Sequence, residues 1–131
     1  MILPAISIKQ PWPHAIFHCG KDTENRSWLL PKKFWGRTIL LHSGKTLDEP
    51  GYYWLSLEAG FTLPPVKELQ KGGIIGAVIF SGMPPTTSIW ADEGFCHWRI
   101  ERFCQLRFHP CAGRLGFFNV DYPFSLPEGF A

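Results

Sequence analysis

The sequence predicts a mainly β domain with short helices, of α+β type: a small barrel of about six strands with two or three flanking helices. Three observations predict it. Thirteen glycines and twelve prolines cut the chain into short pieces, which is the punctuation of a small barrel and not of a helical bundle. The run 73–80 is apolar and rich in β-branched residues, as a strand covered on both faces is, and 37–43 reads as an apolar strand ending in polar His42 and Ser43. The 131 residues, 45% hydrophobic and 15% aromatic, suffice for one hydrophobic core and not for two. Residues 1–131 are therefore read as a single domain.

Each element follows from local pattern. Ala5 to Lys9 reads as a strand, after which Trp12, Ala15, Ile16 and Cys19 share one side of a short helix that starts near Pro11 and stops at Gly20. Thr23 to Trp28 reads as a strand with Glu24, Arg26 and Trp28 on one face and Thr23, Asn25 and Ser27 on the other. Arg37 to Ser43 is a strand with a polar end, and Pro50 to Ala59 a helix stopped by Gly60. A helical turn is expected within 64–70, and a core strand over Gly73 to Phe80. After a loop from Met83 to Gly94, Phe95 to Arg107 alternates, with Cys96, Trp98, Ile100 and Cys104 on one side and His97, Arg99 and Glu101 on the other. Leu115 to Val120 supplies the last strand.

Charge and composition narrow the function. With 18% charged residues and a formal charge of +2, the chain cannot grip phosphates by number alone, so any nucleic-acid contact must be local. No basic segment followed by a long apolar run opens the chain, and no stretch reaches the roughly 18 apolar residues of a membrane span. A cytoplasmic protein without membrane contact is expected. The four cysteines contain no CxxC pair and read as reduced thiols. A zinc site from Cys104, His109 and Cys111 with His97 can be drawn, but its spacing matches none of the usual ligand pairs. Neither a metal nor a cofactor is expected.

Three stretches carry a resemblance: Ala5-Ile6-Ser7-Ile8-Lys9-Gln10-Pro11-Trp12, then 20–28, then Leu40-Leu41-His42-Ser43-Gly44-Lys45. The second resembles a GxKxxExR run through Lys21, Glu24 and Arg26, with Gly20 directly before the lysine and not two positions before it. Together they resemble the ASCH family, named for homology to a transcription coactivator. Gly76-Ala77-Val78, Ser88-Ile89-Trp90, 95–100 and 113–116 extend the resemblance over nearly the whole chain. It implies a PUA-like barrel, similar to RNA-binding pseudobarrels, whose two N-terminal motifs line a cleft over the barrel.

The cleft residues suit nucleic acid. Lys9, Lys21, Arg26 and Lys45 are cations near strand ends and loops, interleaved with Trp12, Trp28 and Trp90. Cations hold phosphates, and an indole can stack a base with about 1–3 kcal/mol. The competing reading makes the tryptophans core and the cations a solvated rim. A binding module would hold RNA, more readily than DNA, or a modified nucleoside through Lys9, Gln10, Trp12, Arg26, Trp28, His42, Ser43 and Lys45. The alternative is a hydrolase centred on Lys21 and Glu24, cutting RNA or removing an acyl group from a nucleoside.

The resemblance bears on that alternative residue by residue. Lys21 matches the lysine that activates a threonine nucleophile in the family's acetylcytidine amidohydrolases, but the threonine's position is Glu24 here. Thr23 is adjacent and should face away. The structural reading of Glu24 and Arg26 is an ion pair at the barrel mouth. His42 beside a phosphodiester could act as acid or base, and the family fold brings Tyr52, Tyr53, Asp92 and Glu93 near. A third reading is a protein-interaction scaffold using the aromatic surface around Tyr52, Tyr53 and Trp54.

Overall fold

The computed structural model describes residues 1–131. Six strands form one sheet: β1 (Ile2–Gln10), β2 (Thr23–Arg26), β3 (Thr38–Leu47), β4 (Gly73–Gly82), β5 (Cys96–Pro110) and β6 (Phe117–Asp121), in the order β2-β5-β4-β3-β1-β6. Only β1 and β3 run parallel; every other neighbouring pair is antiparallel. Two short α-helices, α1 (Trp12–His18) and α2 (Glu49–Tyr53), follow β1 and β3. No helix is long and apolar enough to cross a membrane.

The elements start and stop for local reasons. Proline near the first turn and Ala15 and Ile16, both buried, make α1, and Gly20 takes the left-handed conformation just beyond its end at φ 77°. Asp48 caps α2 by accepting a hydrogen bond from the Gly51 N–H. The single helix expected over 50–59 is instead two pieces: α2 continues as a π-helical turn over Trp54–Glu58, which buries Leu55 against Ala15 and Trp90.

The sheet is curled, and its ladder does not close by hydrogen bonds, because β2 and β6 are both edges. Aromatic side chains bring its two ends together instead. Trp98 on β5 lies parallel to Phe117 on β6, with ring centroids 5.8 Å apart and planes 6° apart. Trp28, just past β2, meets both rings edge-on, at 4.7 and 5.7 Å. The Trp98 indole N–H donates to the Trp28 carbonyl, so its polar atom is satisfied inside the core. Around this seam pack Ile6, Ile16, Leu41, Val78 and Phe80.

The even alternation expected along β5 breaks in its middle. Ile79 pairs with Arg102 and Phe80 with Ile100, which leaves Glu101 as an extra residue, a β-bulge. Cys96, Trp98 and Ile100 therefore face the main core, while Cys104 faces the opposite side with Ala77, Ile79 and Phe130. Inside the bulge the period-2 pattern held; beyond it, the side chains changed faces.

Trp98→Ala should destabilise the fold by about 3–5 kcal/mol, the range for emptying a buried aromatic site. The fully exposed Leu115 is the matched control, with Leu115→Ala changing stability by less than about 0.5 kcal/mol. Urea denaturation measures both, and equal small effects would contradict the seam's role.

Candidate functional site

One cleft of about 950 Å³ runs over the sheet, within the roughly 300–1,000 Å³ of ligand pockets. Its walls come from stretches far apart in sequence: Lys9 on β1, Trp12 on α1, Lys21, Glu24, Asn25 and Arg26 at β2, and Gly44, Lys45 and Thr46 on β3. The loop before β5 adds Trp90 and Asp92, and the loop before β6 adds Arg114. The parallel pairing of β1 with β3 explains the meeting of the first and third motifs, since Ser7 lies opposite His42 and Ile8 opposite Ser43.

The floor is a chain of charges. Glu24 sits between Lys21, whose Nζ is 3.8 Å from Oε1, and Arg26, whose guanidinium is 3.5 Å from Oε2. The Lys21 and Glu24 side chains are only 3% and 7% exposed, whereas Arg26 is 23% exposed. Lys21 also donates to the Thr23 carbonyl and stands 5.4 Å over the Trp12 ring. Arg26 lies over Trp28 and Trp98, which ties the floor to the aromatic seam. Burial lowers the Lys21 pKa below the ordinary lysine range, opposed by the carboxylates of Glu24, Asp92 and Asp22. The ion pair and the cleft wall are thus the same residues.

Trp12 is held as one wall. Its indole N–H donates to Asp48 Oδ2 at 2.8 Å, while Asp48 Oδ1 caps α2. The ring lies so close to Gly51 that a Cβ there would stand 2.5 Å from Cζ2. Asn25 fastens the opposite wall: its amide donates to the Trp90 carbonyl and its oxygen accepts from the Asp92 N–H, both at 2.9 Å. Ile89, Phe95 and Leu115, all exposed, form an apolar lip.

Not every expected residue faces this space. Gln10 is buried, donating to the Gln70 carbonyl and accepting from the His14 N–H. Ser43, also buried, donates to the same Gln70 carbonyl. Trp28 belongs to the seam. His42 lies behind the wall, 2% exposed, with Ser7 in front of it: Ser7 Oγ is 2.9 Å from Nδ1, and Nε2 is 2.8 Å from the Cys111 carbonyl. Thr23 turns away from the cleft, as alternation requires, and bonds Asp22. Of the residues near the site by resemblance, Asp92 lines it, whereas Tyr52 bonds the Pro64 carbonyl and Tyr53 and Glu93 are outside the lining.

Sequence reasoning did not single out Ser7, Asn25, Asp48 or Arg114 as site residues, and it named Trp54 only for a protein-interaction surface, whereas Trp54 lines the cleft. For Asp48 a signal existed, because Asp followed by Glu49 and Pro50 marks a helix start. For Arg114, in a Gly-Arg-Leu-Gly loop, only tertiary placement supplies the role. No group of three or more His, Cys, Asp or Glu side chains stands close enough to hold a metal ion, and all four cysteines are unpaired. No protein-family model and no curated protein matches the chain.

Two outcomes follow from this geometry. Gly51→Ala should destabilise by about 1–3 kcal/mol, because the new Cβ must displace the Trp12 ring or the Asp48 cap; urea denaturation unchanged from wild type would contradict the contact. For Lys21 the folded pKa is lowered, so the unfolded chain holds the proton more tightly at alkaline pH. Stability relative to Lys21→Met should therefore shift in favour of wild type as pH rises from the lowered folded pKa to the ordinary lysine value. Parallel stability curves for the two proteins across that window would refute the shift.

Proposed function

We propose that the cleft binds nucleic acid, RNA more readily than DNA, or a modified nucleoside. The observation that carries this reading is the convergence of five cations, Lys9, Lys21, Arg26, Lys45 and Arg114, with Trp12, Trp54 and Trp90 around one open space. Lys9, Lys45 and Arg114 are exposed, and therefore free to meet phosphates without a desolvation penalty. Trp54, which is exposed, the half-buried Trp12 and the apolar lip offer flat surface to a base, whereas Trp90 is buried against Phe61 behind them. Three acids in the same lining, Glu24, Asp48 and Asp92, are each engaged with a neighbouring residue, Asp92 through its backbone N–H as well as its carboxylate.

The order of the KxxExR, QPW and HSGK stretches, with Trp12, Lys21, Glu24, Arg26 and Lys45 from them lining this one cleft, also supports assigning the chain to the ASCH family, with its PUA-like barrel. A hydrolase centred on Lys21 and Glu24 is the second reading. What favours it is the lowered Lys21 pKa beside a carboxylate on the cleft floor. Against it, the Lys21 ammonium is already committed to the Thr23 carbonyl and to Glu24.

Titration of fluorescent single-stranded RNA at several salt concentrations tests the binding reading. Affinity should fall as salt rises, and Lys45→Ala should weaken binding and reduce the salt slope by about 1. Binding that is absent at low salt for RNA, DNA and nucleosides alike, or unchanged in Lys45→Ala, would reject it. Turnover of an acylated nucleoside that disappears in Lys21→Ala would favour the hydrolase instead.

A further inference from the structure

We propose that Ser7, which lines the cleft, and His42 behind it form a nucleophile and general-base pair, able to accept the acyl group of an ester or amide. The inference uses neither Lys21 nor Glu24, and it does not depend on nucleic-acid binding.

The hydrogen bonds fix the imidazole's tautomer. A peptide carbonyl can only accept, so the 2.8 Å contact between His42 Nε2 and the Cys111 carbonyl puts the proton of the neutral ring on Nε2. Nδ1 then carries the lone pair, and the 2.9 Å contact to Ser7 must be a hydroxyl donating to it. That is the arrangement a serine nucleophile needs: a base within reach of its proton, and a third group holding the base in place. A backbone carbonyl fills the third role here.

Access is arranged to match. Ser7 lines the cleft, while His42 behind it is closed off from solvent. A Cβ on Gly113 would lie 3.1 Å from Ser7 Oγ, and one on Gly44 would lie 3.3 Å from it. A Cβ on Gly113 would also stand 2.8 Å from His42 Cε1, so only glycine lets that backbone pack against the pair without a side chain over the hydroxyl. Lys9, two residues along β1 and on the same cleft wall, is the cation available for charge developing on a substrate carbonyl oxygen.

The step balances without any further reactant. Ser7 Oγ bonds to the carbonyl carbon as its proton passes to His42 Nδ1. The tetrahedral intermediate then breaks the bond to the alcohol or amine, which leaves with that proton. Water adds to the acyl-serine in the same way, giving its proton to Nδ1. The carboxylic acid departs, Ser7 regains its proton, and the net change is hydrolysis.

Ser7 and His42 are also register partners on adjacent strands, so a purely structural hydrogen bond would look the same at rest. Chemistry separates the two. With p-nitrophenyl acetate, the wild-type protein should show a burst of p-nitrophenolate and carry an acetyl group on Ser7 by peptide mass mapping. Ser7→Ala should lack both, and His42→Gln should acylate at least about 100-fold more slowly. As a measurement independent of how His42→Gln folds, the thiol in Ser7→Cys should react with iodoacetamide faster than the four native cysteines. Acetylation confined to lysines, acylation of Ser7 at an unchanged rate in His42→Gln, or a thiol at position 7 no more reactive than the others would overturn the proposal.

Discussion

The stack of Trp98 on Phe117 is the contact on which the rest of the molecule depends. These residues lie on the second and the last strand of an open six-stranded order, and their parallel rings hold the two ends of the sheet face to face. Without that closure the sheet would be a twisted ribbon with one face exposed. The energetic source is the burial of large aromatic surface, with Trp28, Phe34 and Phe80 filling the space around the pair. Because the seam replaces a hydrogen-bonded ladder, the mouth beside it is left open, and the cleft occupies that region.

The seam and the cleft share a residue. Arg26 spreads over Trp28 and Trp98 on one side and reaches Glu24 on the other, so the core's outermost rings are also the platform for the charged floor. Glu24 with two cationic neighbours needs no further partner, and no buried side-chain nitrogen or oxygen is left unbonded. The floor is therefore electrostatically closed upon itself, and the exposed Lys9, Lys45 and Arg114 above it carry the charge open to a ligand. A cleft divided in this way separates the groups that hold it in shape from those free to act.

Much of this was legible in the chain. The strand cores around 5–9, 38–43 and 73–80 could be read from apolar runs, and the facing of Glu24 and Arg26 away from Thr23 from simple alternation. The grouping of the stretches around residues 9–12, 20–28 and 42–45 at one cavity was also anticipated, and Lys9, Trp12, Lys21, Glu24, Arg26 and Lys45 do line it. Gln10, Ser43, Trp28 and His42 do not, because each satisfies a carbonyl or a core contact that no local pattern announces. The bulge at Glu101 was equally hidden, since it depends on how β4 and β5 fit one another and not on either strand alone.

The sequence by itself determined the mainly β character, the short helices and the residue types of the cleft, because spacing, turn residues and apolar content act over a few positions of chain. Tertiary structure alone decided that the sheet closes through aromatic rings and not a ladder, that His42 stands behind Ser7, and that Arg114 joins Lys9 and Lys45. Those outcomes depend on contacts between residues tens of positions apart, whose geometry is set only when the whole sheet curls.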